Sequence, residues 1–350
     1  MALQRYSAAM DVLKYLNKTI EIAAYLHINY SGQLNINNIH YHFSRSRNKF
    51  WYIPFSTIFK IRKEAADIIW VQGFKHPLQL LMLKLIIGNK TKIIIQHHGE
   101  HPFSGLKKFC QKLAGRITNA YLFTSVRIAD EWINAGIINS RTKCFEVLEA
   151  STYLTPKNKQ ESYVRTGIKK DVQNFLWVGR LDKNKDPLTV LTAFKQYLVQ
   201  YPDAHLYMIY QTEDLLAEIE TVIELNSTLN NTMHLVGKVE HNELPYWFSA
   251  ADFFISGSHS EAAGYALIEC MACGCIPIVT NIPSFRKITA EGKYGLLYEP
   301  GNINMLYDTL IKTTTLNSIV LSADIVKHFS ENLSFSAVGT TLSNIFKKLQ

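Results

Sequence analysis

The sequence of 350 residues lacks any hydrophobic run long enough to cross a bilayer as a helix. Its longest apolar stretch, residues 78–88, is interrupted by Lys84, and the N-terminus carries no signal-peptide pattern. The hydrophobic content of 47% is nevertheless sufficient to fill the cores of two α/β domains. Together these features predict a soluble globular protein with a cytoplasmic location.

Cysteine is scarce, and the five cysteines show no regular spacing, which argues against a disulfide framework. Three of them, Cys270, Cys273 and Cys275, cluster on a predicted helix and the strand after it. Without a second cluster, a zinc site is disfavoured. The sequence also contains no Asp-x-Asp motif, so no motif that it carries calls for a divalent metal, and no cofactor is expected.

Positive charge is distributed unevenly along the chain. The net charge is +8, but residues 1–160 hold 22 Lys and Arg against 9 Asp and Glu, whereas residues 161–350 hold 15 against 20. A basic N-terminal half is expected to contact an anionic partner or a membrane surface. No nucleic-acid-binding motif accompanies the charge, so nucleic acid is not a predicted partner.

Alternating strand and helix patterns predict two domains with parallel sheets. In the first half we predict strands at 39–43, 67–72, 92–96, 120–124 and 144–148, and helices at 6–16, 55–64, 76–87 and within 125–136. The polar stretch 156–170 marks the domain boundary. We therefore predict domains at 1–160 and 161–334, followed by an amphipathic helix at 335–350 that crosses back to the first domain.

The most informative segment is residues 258–280, which predicts a loop, a helix at 265–274 and a strand at 276–280, after a strand at 252–256. The helix begins after Gly264, so the backbone N–H groups of Tyr265, Ala266 and Leu267 are candidate donors to a phosphate or a sugar.

Two carboxylates flank this helix start. Glu261 lies in the loop, where a solvated surface acid is the alternative interpretation. Glu269 lies in a helix that is apolar almost all round, so we expect it to be buried beside a polar partner. Carboxylates placed in this way accept hydrogen bonds from hydroxyls, which suits a nucleotide-sugar.

A second group of residues follows the predicted strand 175–179, which ends at Gly179. Asp186 and Pro187 have the pattern of a helix N-cap and first helical residue. Arg180 and Lys185 therefore fall at the carboxyl end of a strand, where ligands bind in open parallel sheets. Two cations at this place could bind a diphosphate. The alternative interpretation is that the two residues belong to an ordinary solvated basic loop.

Taken jointly, these motifs resemble the retaining GT-B glycosyltransferases of family four. The resemblance rests on Gly-Arg-Leu-x-x-x-Lys at 179–185, on Val236 and Gly237 after a strand, and on Glu-x7-Glu at 261–269 followed by Met-Ala-Cys-Gly at 271–274. It covers roughly residues 175–307. It implies two Rossmann-like α/β domains facing each other across a cleft, with the acceptor on the N-terminal and the nucleotide-sugar donor on the C-terminal domain.

The resemblance also implies roles for individual residues. Arg180 and Lys185 would meet the charge that develops on the leaving phosphate, without a metal. Glu261 would hold the hydroxyls of the transferred sugar, and Glu269 those of the ribose. His98, beside His97 at the end of a strand, would orient the sugar from the N-terminal domain. The other implied donor-binding residues are Gly179, Val236, Gly237, Gly264, Tyr265, Ala266 and Leu267.

The sequence departs from the family pattern at two places. The usual first strand and glycine-rich loop are missing from the predicted elements, and Glu149-Ala-Ser-Thr at 149–152 replaces the frequent Asn-Gly-Val-Asp. The first departure keeps a catalytically inactive sugar-nucleotide-binding subunit open as an alternative function. A nucleotide-sugar epimerase, which shares the GT-B architecture, is another.

Residues 103–116 predict a basic amphipathic helix. Apolar residues fall at helical spacing between lysines and an arginine: Phe103, Leu106, Phe109, Cys110 and Leu113 alternate with Lys107, Lys108, Lys112 and Arg116. Such a helix lies either on an anionic bilayer or, as an ordinary surface helix, with its apolar stripe on the core. We expect sugar transfer to a glycan or lipid-linked acceptor in bacterial polysaccharide or lipopolysaccharide synthesis, at the inner face of the membrane.

Overall fold

A computed structural model describes residues 11–16, 21–28, 30–36, 39–45 and 52–349. The chain forms two compact units, Met1–Ala150 together with Phe335–Gln350, and Ser151–Ser334. The division falls at residue 150 rather than at residue 160. Within the described ranges, no helix combines the length and the apolar character needed to cross a membrane.

A three-stranded sheet lies at the beginning of the first unit. Its strands are β1 (Ile22–Ile28), β2 (Gly32–Ile36) and β3 (Ile39–Arg45), with β3 in the middle, parallel to β1 and antiparallel to β2. The sequence predicts only β3, because β1 contains two alanines and β2 is mostly exposed, so neither has a strong strand signal. The predicted helix 6–16 lies largely outside the described residues, and residues 11–13 are helical.

The second sheet of this unit is parallel and carries His97 and His98 after one of its strands. Its strands are β4 (Ile68–Gln72), β5 (Lys92–Gln96), β6 (Ala120–Phe123) and β7 (Cys144–Glu146), in that spatial order. The helices along this stretch are α1 (Phe55–Glu64), α2 (Pro77–Ile87), α3 (Gly105–Ile117) and α4 (Ala129–Asn134). The continuous apolar run in β5 is fully buried, as expected for a central parallel strand.

The C-terminal helix, Phe335–Leu349, belongs to the first unit. Its apolar stripe includes Val338, Leu342 and Ile345, which are buried in one cluster with Ile94 and Leu122 of the parallel sheet. This packing explains why residues 335–350 group with a unit that is distant in sequence.

The second unit is a six-stranded parallel sheet flanked by helices. The strands are β8 (Asn174–Gly179), β9 (His205–Tyr210), β10 (Met233–Gly237), β11 (Phe253–Ser256), β12 (Ile276–Thr280) and β13 (Leu296–Tyr298). The helices are α5 (Lys159–Thr166), α6 (Pro187–Tyr197), α7 (Leu216–Glu224), α8 (Ser227–Thr232), α9 (Leu244–Ala250), α10 (Tyr265–Ala272), α11 (Pro283–Ile288), α12 (Ile303–Lys312) and α13 (Ser318–His328).

The strand order of this sheet determines where a ligand can bind. It is β10-β9-β8-β11-β12-β13, so the order reverses between β8 and β11, which are neighbours. Open parallel sheets bind ligands outside the carboxyl ends of their strands at such a point. The loops after β8 and β11 are the two that the sequence motifs single out.

The start of α6 confirms the local prediction at Asp186 and Pro187. The Asp186 carboxylate accepts a hydrogen bond from the backbone N–H of Thr189 at 3.2 Å, and Pro187 is the first helical residue. Because the cap fixes where the helix begins, it also fixes the end of the loop that carries Arg180 and Lys185.

Candidate active site

The loops after β8 and β11 are hydrogen-bonded to each other. Asn184 donates from its side chain to the Ser260 carbonyl at 3.0 Å and accepts from the Ser260 N–H at 3.1 Å, while its own carbonyl accepts from the His259 N–H at 2.8 Å. At Gly257, a Cβ atom would lie 2.8 Å from the Asp186 carbonyl oxygen, so only glycine allows this approach. Sequence reasoning missed Asn184, because one asparagine in a polar loop has no distinguishing signal.

This contact places Lys185 beside Glu261. The two side chains form an ion pair and are only 20% and 16% exposed. The same carboxylate oxygen of Glu261 also accepts a hydrogen bond from Ser258 Oγ at 3.0 Å. Glu261 is therefore a paired, half-buried acid rather than a solvated one, and Lys185 is not an ordinary surface lysine.

Arg180 lies in the same loop but is 61% exposed. Its guanidinium pairs with Asp182 at 2.9 Å, and the other oxygen of that carboxylate accepts from the Lys185 N–H at 2.9 Å. Asp182 thereby stabilises the loop conformation through the Lys185 backbone and also pairs with Arg180 at the surface. The exposed guanidinium has five donors, which leaves capacity for an anion besides Asp182.

The start of α10 lies at the end of the loop that carries Glu261. Gly264 precedes the helix in a left-handed conformation, with φ of 65°, and no side chain caps the helix start. A Cβ atom on Gly264 would lie 3.0 Å from Ile288 Cδ1, so both the backbone angle and the packing favour glycine. Tyr265 and Ala266 are partly exposed, whereas Leu267 is buried.

Glu269, one turn further along α10, is buried as predicted, and its partner is His241. His241 Nε2 lies 2.7 Å from Glu269 Oε1, and the two side chains are 67% and 11% exposed. The hydrogen bond to Glu269 raises the pKa of His241 above its usual value. The burial of Glu269 predicted a partner but not its identity, since His241 lies in a different loop, after β10.

The remaining predicted donor-site residues lie at the same edge of the sheet. Gly179 is the last residue of β8, and Val236 and Gly237 end β10. The pairing of β10 with β9 shifts register between Leu235 and Gly237, where Gly237 has a φ of 78°. The chain therefore turns away from the sheet at Gly237, towards the loop that contains His241.

His98 lies in the first unit, at the end of β5, and both of its ring nitrogens are engaged. Nδ1 pairs with the Glu149 carboxylate, and Nε2 donates to the Gln72 side-chain oxygen at 2.7 Å. Its backbone N–H donates to Glu100 at 2.8 Å. Burial opposes protonation, but the hydrogen bond and charge of Glu149, with the charge of Glu100, outweigh it and raise the pKa of His98.

His97 has a different environment. Its ring is buried among Phe74, Phe123 and Trp132, and Nε2 lies 3.0 Å from the Glu100 carbonyl oxygen. Burial lowers the pKa of His97. Of the two adjacent histidines, His97 is thus the core residue, and His98 is the one in a polar, charged cluster.

The helix α3 buries only part of the stripe that the sequence predicted. Its buried residues are Cys110, Gln111, Ala114 and Gly115, whereas Leu106 and Phe109 are 64% and 56% exposed. The small residues face the core because they allow close approach. The two large apolar side chains are left on the surface beside the lysines of the same helix.

Cys270 in α10, and Cys273 and Cys275 between α10 and β12, are buried and free. Burial raises the pKa of Cys273 to about 12 and that of Cys270 well above its usual value, so both are protonated thiols rather than thiolates. In the part of the chain that the structure describes, no three His, Cys, Asp or Glu side chains are grouped so as to hold a metal ion.

Comparison with known proteins places these features in a family. Residues 158–327 match the family of glycosyl transferases group 1. The chain is 25% identical over 211 residues to the alpha-monoglucosyldiacylglycerol synthase of Streptococcus pneumoniae, covering 57% of this chain and 47% of that protein. It is 23% identical over 249 residues to the GDP-mannose:cellobiosyl-diphosphopolyprenol alpha-mannosyltransferase of Xanthomonas campestris, covering 70% and 64%.

Among solved structures, Anabaena HepE in complex with UDP and glucose is similar, with a TM-score of 0.68 and 15% identity over 89% of this chain and 87% of that one. The matched regions span less than two thirds of the length of either curated relative above. These comparisons confirm the predicted family and fold. The second unit therefore matches the glycosyl transferases group 1 family over residues 158–327, and the chain as a whole has the GT-B fold built from two Rossmann-like α/β units.

Proposed function

We propose that this chain transfers a sugar from a nucleoside-diphosphate sugar to a glycan or lipid-linked acceptor, with retention of the anomeric configuration and without a metal. The observation that carries this proposal is the pairing of Lys185 with Glu261 at the carboxyl ends of β8 and β11, beside the start of α10. One cation for a phosphate and one carboxylate for sugar hydroxyls are thereby held side by side.

The diphosphate is assigned to Lys185, Arg180 and the start of α10. The charge of Lys185 is balanced by Glu261 and that of Arg180 by Asp182. A diphosphate brings its own negative charge to both cations, while the helix start adds the positive end of its dipole. The same groups then stabilise the charge that grows on the β-phosphate as the sugar leaves.

The transfer step forms a bond between the acceptor hydroxyl oxygen and the anomeric carbon and breaks the bond from that carbon to the β-phosphate oxygen. Attack on the face that the phosphate leaves retains the configuration. The acceptor hydroxyl then lies next to the departing oxygen, which takes its proton. Glu261, held by Lys185 and Ser258, accepts from hydroxyls of the transferred sugar.

His98 is assigned to orient that sugar, and its contacts limit how it can do so. Glu149 holds Nδ1 and Gln72 holds Nε2, so a sugar hydroxyl reaches the ring only by replacing Gln72. The side-chain amide of Gln72 is the replaceable partner because it carries no charge, whereas Glu149 forms an ion pair with the ring.

The nucleoside is assigned to Glu269, whose carboxylate would accept from the ribose hydroxyls. Replacing Glu269 with alanine is expected to weaken binding of the nucleotide-sugar at least about tenfold, since hydrogen bonds to a charged group contribute about 1.5–3 kcal/mol. Isothermal titration calorimetry with UDP-glucose, GDP-mannose and ADP-glucose measures the effect and identifies the base. Glu240→Ala, which removes an exposed carboxylate from the neighbouring loop, is the matched control.

Transfer itself is tested by incubating the protein with the donor that binds and with bacterial lipid extracts or oligosaccharides. Retention is read from the anomeric proton coupling in the product, and metal independence from activity in EDTA. Donor binding without transfer to any acceptor would favour an inactive subunit, and epimerised donor in the absence of acceptor would favour an epimerase.

A lipid acceptor is supported by the surface of α3. Leu106 and Phe109 are exposed on a helix that also carries Lys107, Lys108 and Lys112. Exposed apolar side chains flanked by lysines fit the boundary between the headgroups and the acyl chains of an anionic membrane. We place the reaction at the inner face of a bacterial membrane, in the synthesis of cell-surface polysaccharide or lipopolysaccharide, and one relative is named for making a glucosyl diacylglycerol.

Replacing Leu106 and Phe109 together with serine is expected to lower binding to anionic vesicles at least about tenfold, because burying one such side chain contributes about 1.5–3 kcal/mol. Co-sedimentation with vesicles of phosphatidylcholine and phosphatidylglycerol measures this, and added salt should weaken the binding of the unmodified protein. The control pair is Leu225→Ser with Ile319→Ser, which removes even more exposed apolar side chains from the second unit. Equal binding by both double variants would contradict the assignment of α3 to the membrane.

A further inference from the structure

His241 is hydrogen-bonded to Glu269, the carboxylate to which we assign the nucleoside. It lies in the turn between β10 and α9, and its Nε2 donates to Glu269 Oε1 at 2.7 Å. No other side chain in the described residues hydrogen-bonds the Glu269 carboxylate. A buried carboxylate requires a polar partner, and in this state His241 is that partner.

The two members of the pair differ in how firmly they are held. Glu269 is 11% exposed and lies within α10, so its position is fixed by the helix. His241 is 67% exposed and lies in a turn, so its side chain can swing into solvent without opening the core. When a hydroxylated ligand approaches Glu269, His241 is the group that gives way.

We infer that His241 is a mobile counter-ion of the donor site, which neutralises Glu269 while the site is empty and is displaced when the ribose diol of a nucleotide-sugar takes over the carboxylate. The inference rests on the proposed assignment of Glu269 to the ribose. It identifies His241 as a residue that competes with the donor for Glu269 and so weakens donor binding. Donor binding should therefore release a proton from His241 and depend on pH.

The direction of the pH dependence follows from the charges around His241. Glu269 raises the pKa of His241, and displacement returns that pKa towards its ordinary value. The other charged groups of the same loop are Lys238, Glu240 and Glu243, the last of which pairs with Arg165. Between the ordinary and the raised pKa, His241 is protonated in the empty site but neutral after displacement, so donor affinity rises with pH through this window.

Cys273, at the C-terminal end of α10, interacts electrostatically with Glu269. Burial raises its pKa to about 12, so it stays neutral and contributes no proton between pH 6 and 8. A proton released in this range therefore does not come from this thiol.

The test is calorimetric titration with UDP-glucose and GDP-mannose at pH 7 in two buffers of different protonation enthalpy, PIPES and Tris. A diphosphate diester does not titrate between pH 6 and 8, so released protons come from the protein. The unmodified protein is expected to release a substantial fraction of one proton, and His241→Ala none. At pH 6 the variant should bind several-fold more tightly than the unmodified protein, and at pH 8 about equally.

Glu240→Gln changes the charge next to His241 without touching Glu269 and should release protons as the unmodified protein does. Binding of the same affinity and the same proton release in His241→Ala would overturn the inference while leaving the proposed donor site intact. If neither protein binds either nucleotide-sugar, the proposed function fails, and the inference fails with it.

Discussion

Replacing Lys185 with alanine is expected to lower kcat about a hundredfold or more, the usual effect of removing one group that stabilises transition-state charge. The loss should fall mainly on kcat, because the charge that Lys185 meets grows as the bond to the sugar breaks. The measurement is the rate of nucleoside diphosphate release at saturating donor, with the acceptor that the unmodified protein uses. The same substitution at Arg180 is expected to act in the same direction.

Lys183 provides the matched control for this prediction. It lies in the same loop and is exposed, so Lys183→Ala removes the same charge from nearly the same place. Because Lys185→Ala also leaves Glu261 without its cation, the thermal unfolding midpoint of each variant has to be compared with that of the unmodified protein. A folded Lys185→Ala protein with kcat within a few-fold of that of the unmodified protein would contradict the assignment of Lys185 to the leaving phosphate.

The second unit illustrates what a single sequence can establish. The strand patterns around 175–179, 252–256 and 276–280 are apolar and bounded by turn residues, so β8, β11 and β12 were predictable to within one residue. The loops between them carry Lys185 and Glu261, which the motif spacing placed at one edge of the sheet. That the two residues form an ion pair follows from parallel-sheet topology only once the strand order is known.

Other features depend on contacts between segments that are distant in sequence, and no local sequence pattern predicts them. His241 pairs with Glu269 in α10, and Asn184 bonds Ser260 in a different loop, and neither residue has a neighbour in sequence that marks it. The orientation of α3 could not be predicted from the sequence pattern for a related reason. The pattern ranks side chains by hydrophobicity, but Ala114 and Gly115 face the core because they are small, and Phe109 is left outside.

The strongest stability effect is expected at Glu149, which pairs with His98 in the first unit. Glu149→Gln removes the carboxylate whose hydrogen bond and charge raise the pKa of His98, and it leaves the half-buried His98 ring beside a neutral amide. Breaking a fully buried ion pair costs about 3–5 kcal/mol, so a pair that is partly open to solvent should lose about 2 kcal/mol of the free energy of unfolding. Chemical denaturation followed by circular dichroism measures this loss.

The pH dependence identifies the mechanism of that loss. Because the folded pKa of His98 is raised, its pairing stabilises the protein fully below the unfolded pKa, and this contribution disappears as pH rises through the folded value. The destabilisation by Glu149→Gln should therefore be larger at pH 6 than at pH 9. Burial lowers the pKa of the neighbouring His97, so the contribution of that residue to stability increases with pH, opposite to that of His98. His97 is the same residue in the unmodified protein and in the variant.

The chain offers an exposed pair of the same chemistry for comparison. His101 and Glu131 lie 3.0 Å apart, but both are exposed, so Glu131→Gln should cost well under about 1 kcal/mol. A double-mutant cycle of Glu149→Gln with His98→Gln isolates the coupling between the buried partners. A coupling as small as that of the exposed pair, or one that does not change between pH 6 and 9, would mean that Glu149 does not hold His98 in its charged form.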